Sequence, residues 1–580
     1  MASIGIFQQK LVIDFSYWDG KNANVPILVC LGGEAPIEYW LDGIGIIDKA
    51  APQFRALVVY IEHRFYGQSI PFGSLDNAFS SDEIRDCLTT EQALADFAEV
   101  IKFVKRNITK HDSPTIVIGG SYSGMLAAWF RLKYPHFAIG ALASSAPIFS
   151  FEKLPIENEY CQIVARDFEE ISKTCANNIF QSWNMIDYLA SQPSGIDQLT
   201  KTFKSCSPIN SSEELKAYLI RLYNFAAQYD GRFNTWTRYF CNKIGNRRNN
   251  DILEGISEAV SGLNSFPVCN QIAGNVSFAV DSESIQAWEF QLCSELVTPT
   301  SCSGNSMFQP QQFNMDLYVK NCRDKYHIEA HPNWISTYYG GQDIKSSLKN
   351  FGSNIIFSNG LRDPLSRAGV LSDISDTIVA LTTKQGSHCL DMNLAKDDDP
   401  NWLKELRSKE IRIMSQWIKQ STSSKASIVS LNHSIKATIT WLIRGRGLVW
   451  ETLVRVKRGE NGWTSSSALG NAPMGCKKGG VIDPFGINGR VSTREDEVIS
   501  PEPETPSEKG EECYLRFVSK SAICFDPRLE KEGVEILREG VIVPDREGMG
   551  AVAEDVECSF FQRRARTGCA MWIMDDKSFV

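Results

Sequence analysis

A serine framed by glycines, a late histidine and an acid just before it are the residues of this 580-residue chain best suited to act on one bond. The serine is Ser121, in IVIGGSYSGMLAAWF, where an apolar run over Thr115–Ile118 meets Gly119-Gly120-Ser121-Tyr122-Ser123-Gly124 and then a helical pattern. A strand-to-helix turn with small residues around a serine has the form of a nucleophile elbow, because only small side chains let the backbone fold sharply enough to hold Oγ above a sheet edge. In G-x-S-x-G the second position after the serine is glycine, whereas here it is Ser123. Serine fits there if its φ is ordinary, and Gly124 still offers a small residue for helix packing. Two other readings compete. The turn could hold phosphate, but it lacks G-x-x-x-x-G-K-[ST] and a lysine to reach one. It could also be a plain βα turn.

A serine nucleophile needs a base, and the chain has seven histidines. His327 and His331 lie in a middle region of different texture, His111 in a linker, His136 beyond a helix and His433 past the last βα pattern. His63, in EHRFYGQS, precedes Ser121, on the wrong side for the order of this class. His388, in KQGSHCLDM, follows a late strand and is the candidate. The acid that orients the imidazole and stabilises the imidazolium belongs at the end of the preceding strand, and IIFSNGLRDPLS places Asp363 there. Asp373 and Asp376 compete and read as solvated helix-face charges. The chain order Ser121, Asp363, His388 is that of the α/β-hydrolases. An oxyanion hole would then use the N–H of Tyr122 and one from VCLGGEAP, at Gly33 or Glu34 beside Gly32.

The elements that must position these residues alternate. Ile27–Cys30, Leu57–Ile61, Thr115–Ile118, Ile139–Ala143, Asn354–Ser358 and Thr377–Leu381 read as buried strands. Leu88–Arg106, Gly124–Tyr134 and Asn401–Lys419 read as helices. Such βαβ texture predicts a mostly parallel sheet with helices on both faces. Between its two parts the chain is helical and rich in cysteine. The predicted fold is therefore an α/β-hydrolase sheet domain over residues 1–148 and 350–424, with a disulfide-rich helical cap inserted at 149–349 and an unassigned C-terminal tail at 425–580. Residues 493–512, TREDEVISPEPETPSEKGEE, are too acidic and proline-rich to bury a core and are read as disordered.

Composition limits the function. Hydrophobic residues make up 43% and charged residues 22%, the balance of a globular chain, and the net charge is −9 without a block of basic residues. Nucleic acid and anionic membrane are thereby excluded as partners. No apolar run is long enough to span a bilayer, and the first residues lack the basic and apolar regions of a secretory signal. The sixteen cysteines argue for a secretory route all the same. Cys161, Cys175, Cys206, Cys241, Cys269, Cys293, Cys302 and Cys322 are even in number and widely spaced, with no CxxC pair, which suits disulfides better than zinc. Free buried thiols are the alternative. Sequons at Asn107, Asn210, Asn275 and Asn432 fit glycosylation on the same route.

The blocks FQQKLVIDFSYW, LGGEAPIEYW, VVYIEHRFYGQSIPFG, LTTEQALADFAEVI, GGSYSGMLAAWFRLKYPHFAIGALASSAPI, SNGLRDPLS and QGSHCLDM resemble, in order and spacing, the lysosomal Pro-X carboxypeptidases and their dipeptidyl peptidase II relatives, plant members above all. The resemblance covers about residues 6–420. It implies a serine exopeptidase acting on peptides that contain proline, with the triad on Ser121, Asp363 and His388, in a lysosome, vacuole or extracellular space. It also implies the bridges Cys161–Cys302, Cys175–Cys241, Cys206–Cys269 and Cys293–Cys322. Met125 would remain as one wall of the proline pocket. Leu365 stands where the family usually has Trp, and Thr298 where it commonly has Met, which predicts a wider and more polar pocket.

The expected chemistry is acyl transfer through Ser121, needing neither metal nor cofactor. The expected partner is a peptide substrate, with a homodimer left open. Carboxypeptidase and dipeptidyl peptidase both fit the blocks. An esterase or lipase on the same fold, or a binding module whose chemistry Ser123 has impaired, are the other readings.

Overall fold

The computed structural model describes residues 7–445 apart from 21–23, 42–43, 81–84, 152–157, 234, 250, 263–268, 273–280, 305–306 and 341, together with strands at 454–459, 462–467 and 569–573; side chains are described up to residue 423, Phe72 excepted. Asn275 and the acidic stretch 493–512 lie outside the described residues, as does the side chain of Asn432.

Seven strands carry the site: β1 (Lys10–Asp14), β2 (Ile27–Leu31), β3 (Leu57–Ile61), β4 (Thr115–Gly120), β5 (Gly140–Ser144), β6 (Ile355–Gly360) and β7 (Ile378–Thr383). They lie side by side in the order β1-β3-β2-β4-β5-β6-β7. From β3 through β7 the neighbours run parallel, and β1 alone pairs antiparallel with β3. Strands β2 through β6 are buried at every position, as a parallel sheet covered on both faces requires. The pleat divides each strand between two cores. Leu57, Val59 and Ile61 join Leu94, Phe97 and Trp129 on one face, while Val58 and Tyr60 join Ile46, Ile47, Met414 and Trp417 on the other. This is the α/β-hydrolase arrangement. A strand at Cys569–Ile573 adds antiparallel to the free side of β1.

The helix Thr90–Phe103 starts where the Thr89 hydroxyl caps the N–H of Gln92, and it buries Ala93, Leu94, Phe97, Ala98 and Ile101 on one stripe. Some elements differ from the sequence reading. Strand β1 is missing from it, because only Leu11, Val12 and Ile13 of KLVID are apolar, a run too short to mark a strand. The helix expected over Asn401–Lys419 continues to Gly445, since no Gly or Pro interrupts the intervening sequence.

Between β5 and β6 the chain is helical and has a core of its own, centred on Phe168, Trp183, Leu219, Tyr223 and Phe240. The disulfides are Cys161–Cys302, Cys175–Cys241, Cys206–Cys269 and Cys293–Cys322, the four pairs that the resemblance implied. Sheet and cap belong to one compact unit, residues 1–425 with 523–580. Residues 426–522 form a second, in which Val454–Gly459 and Gly462–Ser467 pair as an antiparallel hairpin. Among the described residues no helix is long and apolar enough to cross a membrane.

Candidate active site

Ser121 follows β4 directly and opens the helix Ser121–Lys133 with φ +58°, a left-handed conformation that serine adopts only when its surroundings hold it there. The sharp turn depends on Gly119, where a Cβ would collide with the carbonyl oxygen of Ser123. Gly124 has to be small for another reason: a Cβ there would sit 2.7 Å from the Ser144 carbonyl oxygen on β5. Ser123, the departure from the usual pattern, has an ordinary φ. Its hydroxyl accepts from the N–H of Gly120 at 3.0 Å and lies 2.9 Å from the Gly120 carbonyl oxygen, to which it donates. The extra side chain thus laces the elbow together from behind.

Asp363 follows β6, wholly buried, and Oδ1 accepts from the N–H of Leu365 at 2.9 Å. Its other oxygen, Oδ2, lies 2.7 Å from Nδ1 of His388, which follows β7. Burial opposes the imidazolium, but the Asp363 carboxylate, together with Cys389, outweighs it and holds the His388 pKa well above the ordinary value. The His388 loop leans back across the sheet. The N–H of Cys389 donates to the Ser145 hydroxyl at 2.9 Å, and a Cβ on Gly120 would lie 2.9 Å from the Cys389 sulfur. The residue after His388 therefore touches the residue before Ser121. Among the described residues the buried Nε2 of His388 has no hydrogen-bond partner, so the structure makes the Asp363–His388 contact and leaves the Ser121 side of the imidazole open. Such contacts often tighten only when substrate binds.

Tyr122 is buried, and its hydroxyl sits 3.0 Å from Nε2 of His63 and accepts from Gln291 at 2.9 Å. Burial lowers the His63 pKa to about 3, so that imidazole is neutral and supports Tyr122. Gly33 packs on the elbow, where a Cβ would meet that of Ser123 at 3.4 Å. Glu34 follows it and lies close enough to His388 for the two charges to interact. Met125 is buried in the core beneath the elbow. Leu365 and Thr298 are half-buried, on segments that Arg367 joins by bonds to Pro299 O at 3.4 Å and Thr300 Oγ1 at 3.3 Å. Asn107 and Asn210 are exposed. Asp373 and Asp376 are exposed too, on a turn rather than a helix, and Asp373 accepts from the N–H of Ala380.

Three features went unread in the sequence. Tyr229, from the cap, sets its ring edge-on to His388 at 5.5 Å. The His388 N–H bonds the carbonyl of Gln228 at 3.0 Å. Arg362, beside Asp363, pairs with Asp167, Glu170 and Asp230 of the cap. Only the Arg-Asp dipeptide in GLRDPLS hinted at that hub.

Residues 3–410 match the family described as serine carboxypeptidase S28. The lysosomal Pro-X carboxypeptidase of Homo sapiens is 36% identical over 432 residues, covering 72% of this chain and 85% of that protein. The Bos taurus protein of the same name is 35% identical over 71% of this chain and 84% of its own length. The thymus-specific serine protease of Mus musculus is 27% identical over 72% and 85%. With a matched region that takes in β1 to β7, the cap and Ser121, Asp363 and His388, the chain belongs to the serine carboxypeptidase S28 family of serine peptidases.

Proposed function

We propose that the protein cleaves the bond after a proline near the C-terminus of a peptide, through Ser121, His388 and Asp363. The observation that carries this reading is the Asp363–His388 contact, set on the same end of the sheet as a serine held at φ +58°. Ser121 attacks the carbonyl and His388 takes its proton through Nε2, while Asp363 fixes the tautomer and stabilises the imidazolium. The imidazolium then protonates the leaving amine, and water releases the acyl group by the reverse transfer. The N–H of Tyr122, with that of Gly33 or Glu34, receives the oxyanion. Met125, Leu365 and Thr298 shape the proline pocket. The names of the relatives support the Pro-X preference and a lysosomal site of action, and the exposed Asn107 and Asn210 suit glycosylation on that route.

Fluorophosphonate labelling with peptide mapping tests the assignment. Label is expected on Ser121 and absent from Ser121→Ala, with turnover down on the order of 10⁶-fold. Label on Ser123 would overturn it, and faster turnover of simple esters than of Pro-X peptides would favour an esterase.

A further inference from the structure

The Glu34 side chain has a burden that the mechanism leaves unused. Its Oε2 is buried with no hydrogen-bond partner among the described residues, an arrangement native structures avoid unless a ligand or water completes it. The titratable groups that act on it are His388, Tyr66, Tyr122 and Tyr229, none of which brings a standing positive charge other than His388. Burial raises the Glu34 carboxyl above its ordinary range, with its own backbone N–H and His388 pulling the other way. Burial of this kind favours the protonated carboxyl, the form that can donate a hydrogen bond.

Its neighbour decides what it meets. His388 hands its proton to the leaving amine, so a group beside His388 stands on the leaving side. When the leaving group is a single residue, its α-carboxylate is one carbon away from that amine. An N-terminal ammonium, by contrast, belongs to the acyl side. The arginines around the triad are engaged elsewhere: Arg362 by three cap carboxylates, Arg166 by Asp167 and the Leu361 carbonyl, and Arg367 by the 299–300 segment. We propose that Glu34 is the group that recognises the free α-carboxylate of the substrate, its unpaired Oε2 making one charge-assisted hydrogen bond to it. This rests on the serine-peptidase reading above and makes the enzyme a carboxypeptidase whose substrate recognition weakens as Glu34 ionises.

The test is the ratio of kcat/KM for two N-blocked Pro-X peptides, one with a free C-terminal carboxylate and one amidated, at about pH 5 and about pH 7.5, at both of which the substrate carboxylate is ionised. The unmodified enzyme is expected to prefer the acid about 10- to 100-fold at the lower pH, and less at the higher. Glu34→Gln, isosteric and unable to ionise, should hold its ratio constant between the two. Glu34→Ala should abolish the preference at both. A Glu34→Gln ratio that falls with pH as the unmodified ratio does, or a Glu34→Ala ratio equal to the unmodified one, overturns the proposal. So does a preference that follows a free N-terminus instead. Fluorophosphonate labelling separates this from the reading beneath it. An unlabelled Ser121 in the unmodified enzyme overturns the serine mechanism, whereas a labelled Ser121 with unmoved ratios overturns only the role of Glu34.

Discussion

Arg362 and Asp230 meet 3.3 Å apart, and the same guanidinium lies 3.5 Å from Asp167, so one side chain adjoining Asp363 gathers two fully buried carboxylates of the cap. Burial pushes the Asp167 carboxyl up to about 8, with Arg362 and Arg166 opposing. The cap is thereby fastened to the turn that presents Asp363 to His388. Asp167 is largely neutral near pH 7, so the buried ion pair that Arg362 completes is the one with Asp230, and removing one partner of a buried pair is costly because the other is left without compensation. Arg362→Met should lower unfolding stability by about 3–5 kcal/mol in urea denaturation near pH 7 and slow labelling of Ser121. A loss below about 1 kcal/mol would show that the hub holds nothing.

Ser123 gives a second test, because its hydroxyl makes two bonds to Gly120 that a family-like glycine would lack. Ser123→Gly should keep fluorophosphonate reactivity at Ser121, since φ at Ser121 and the Tyr122 network do not depend on that hydroxyl. It should destabilise by about 1 kcal/mol, the usual worth of such bonds together with the added backbone freedom. A variant that folds as stably as the parent but no longer labels would make Ser123 part of the chemistry.

Behind the His388 loop, Glu410 is wholly buried and faces Asp391, whose Oδ1 accepts from the Ser144 hydroxyl at 2.6 Å. Burial, then the Asp391 charge, holds the Glu410 carboxyl well above its ordinary range. An acid whose folded pKa is raised binds its proton more tightly in the folded state. Its contribution is therefore full below the unfolded pKa of about 4.3 and is lost as pH rises toward the folded value, at up to about 1.4 kcal/mol per pH unit. Glu410→Gln should flatten the stability profile between about pH 5 and about pH 8, so that the variant gains on the parent with rising pH. Parallel profiles from paired urea titrations would dismiss the effect.

What could be read from the sequence follows the range of the interactions involved. The strand ends that carry Ser121, Asp363 and His388 announced themselves through apolar runs and small residues a few positions long, and the parallel pairing of β4 through β7 brings the C-terminal ends of β4, β6 and β7 to the same edge of the sheet. The disulfide partners came only through the resemblance, since spacing cannot choose among pairings. The Arg362 hub, the Glu410–Asp391 contact and Tyr229 over His388 were illegible because each joins positions far apart in the chain, with no local periodicity to mark them. Strand β1 was lost because Lys10 and Asp14 leave it an apolar run of only Leu11, Val12 and Ile13. Ser123 was legible as a departure, but its bonds to Gly120 required coordinates.

The proposed proline preference can be tested at Leu365. Its N–H donates to Asp363 Oδ1 at 2.9 Å, a backbone bond that any replacement except proline preserves. Its side chain is half-buried on the turn that Arg367 fastens to the 299–300 segment, next to Thr298. A proline ring is compact, apolar and fixed near φ −65°, so selectivity for it comes from rigid walls at contact distance. On the proposed reading a larger side chain at this position would narrow the pocket, and methylene-sized changes of that kind alter discrimination by about 1–3 kcal/mol, or roughly 10–200-fold. The parent enzyme should thus cleave after Pro while tolerating Ala and other small residues at that position. Leu365→Trp should raise the ratio of kcat/KM for Pro over Ala about 10-fold, leaving Ser121 open to fluorophosphonate because the Asp363 anchor is unchanged. Measured on matched peptides that differ only at that residue, a ratio that stays level or falls would place the proline pocket elsewhere in the cleft.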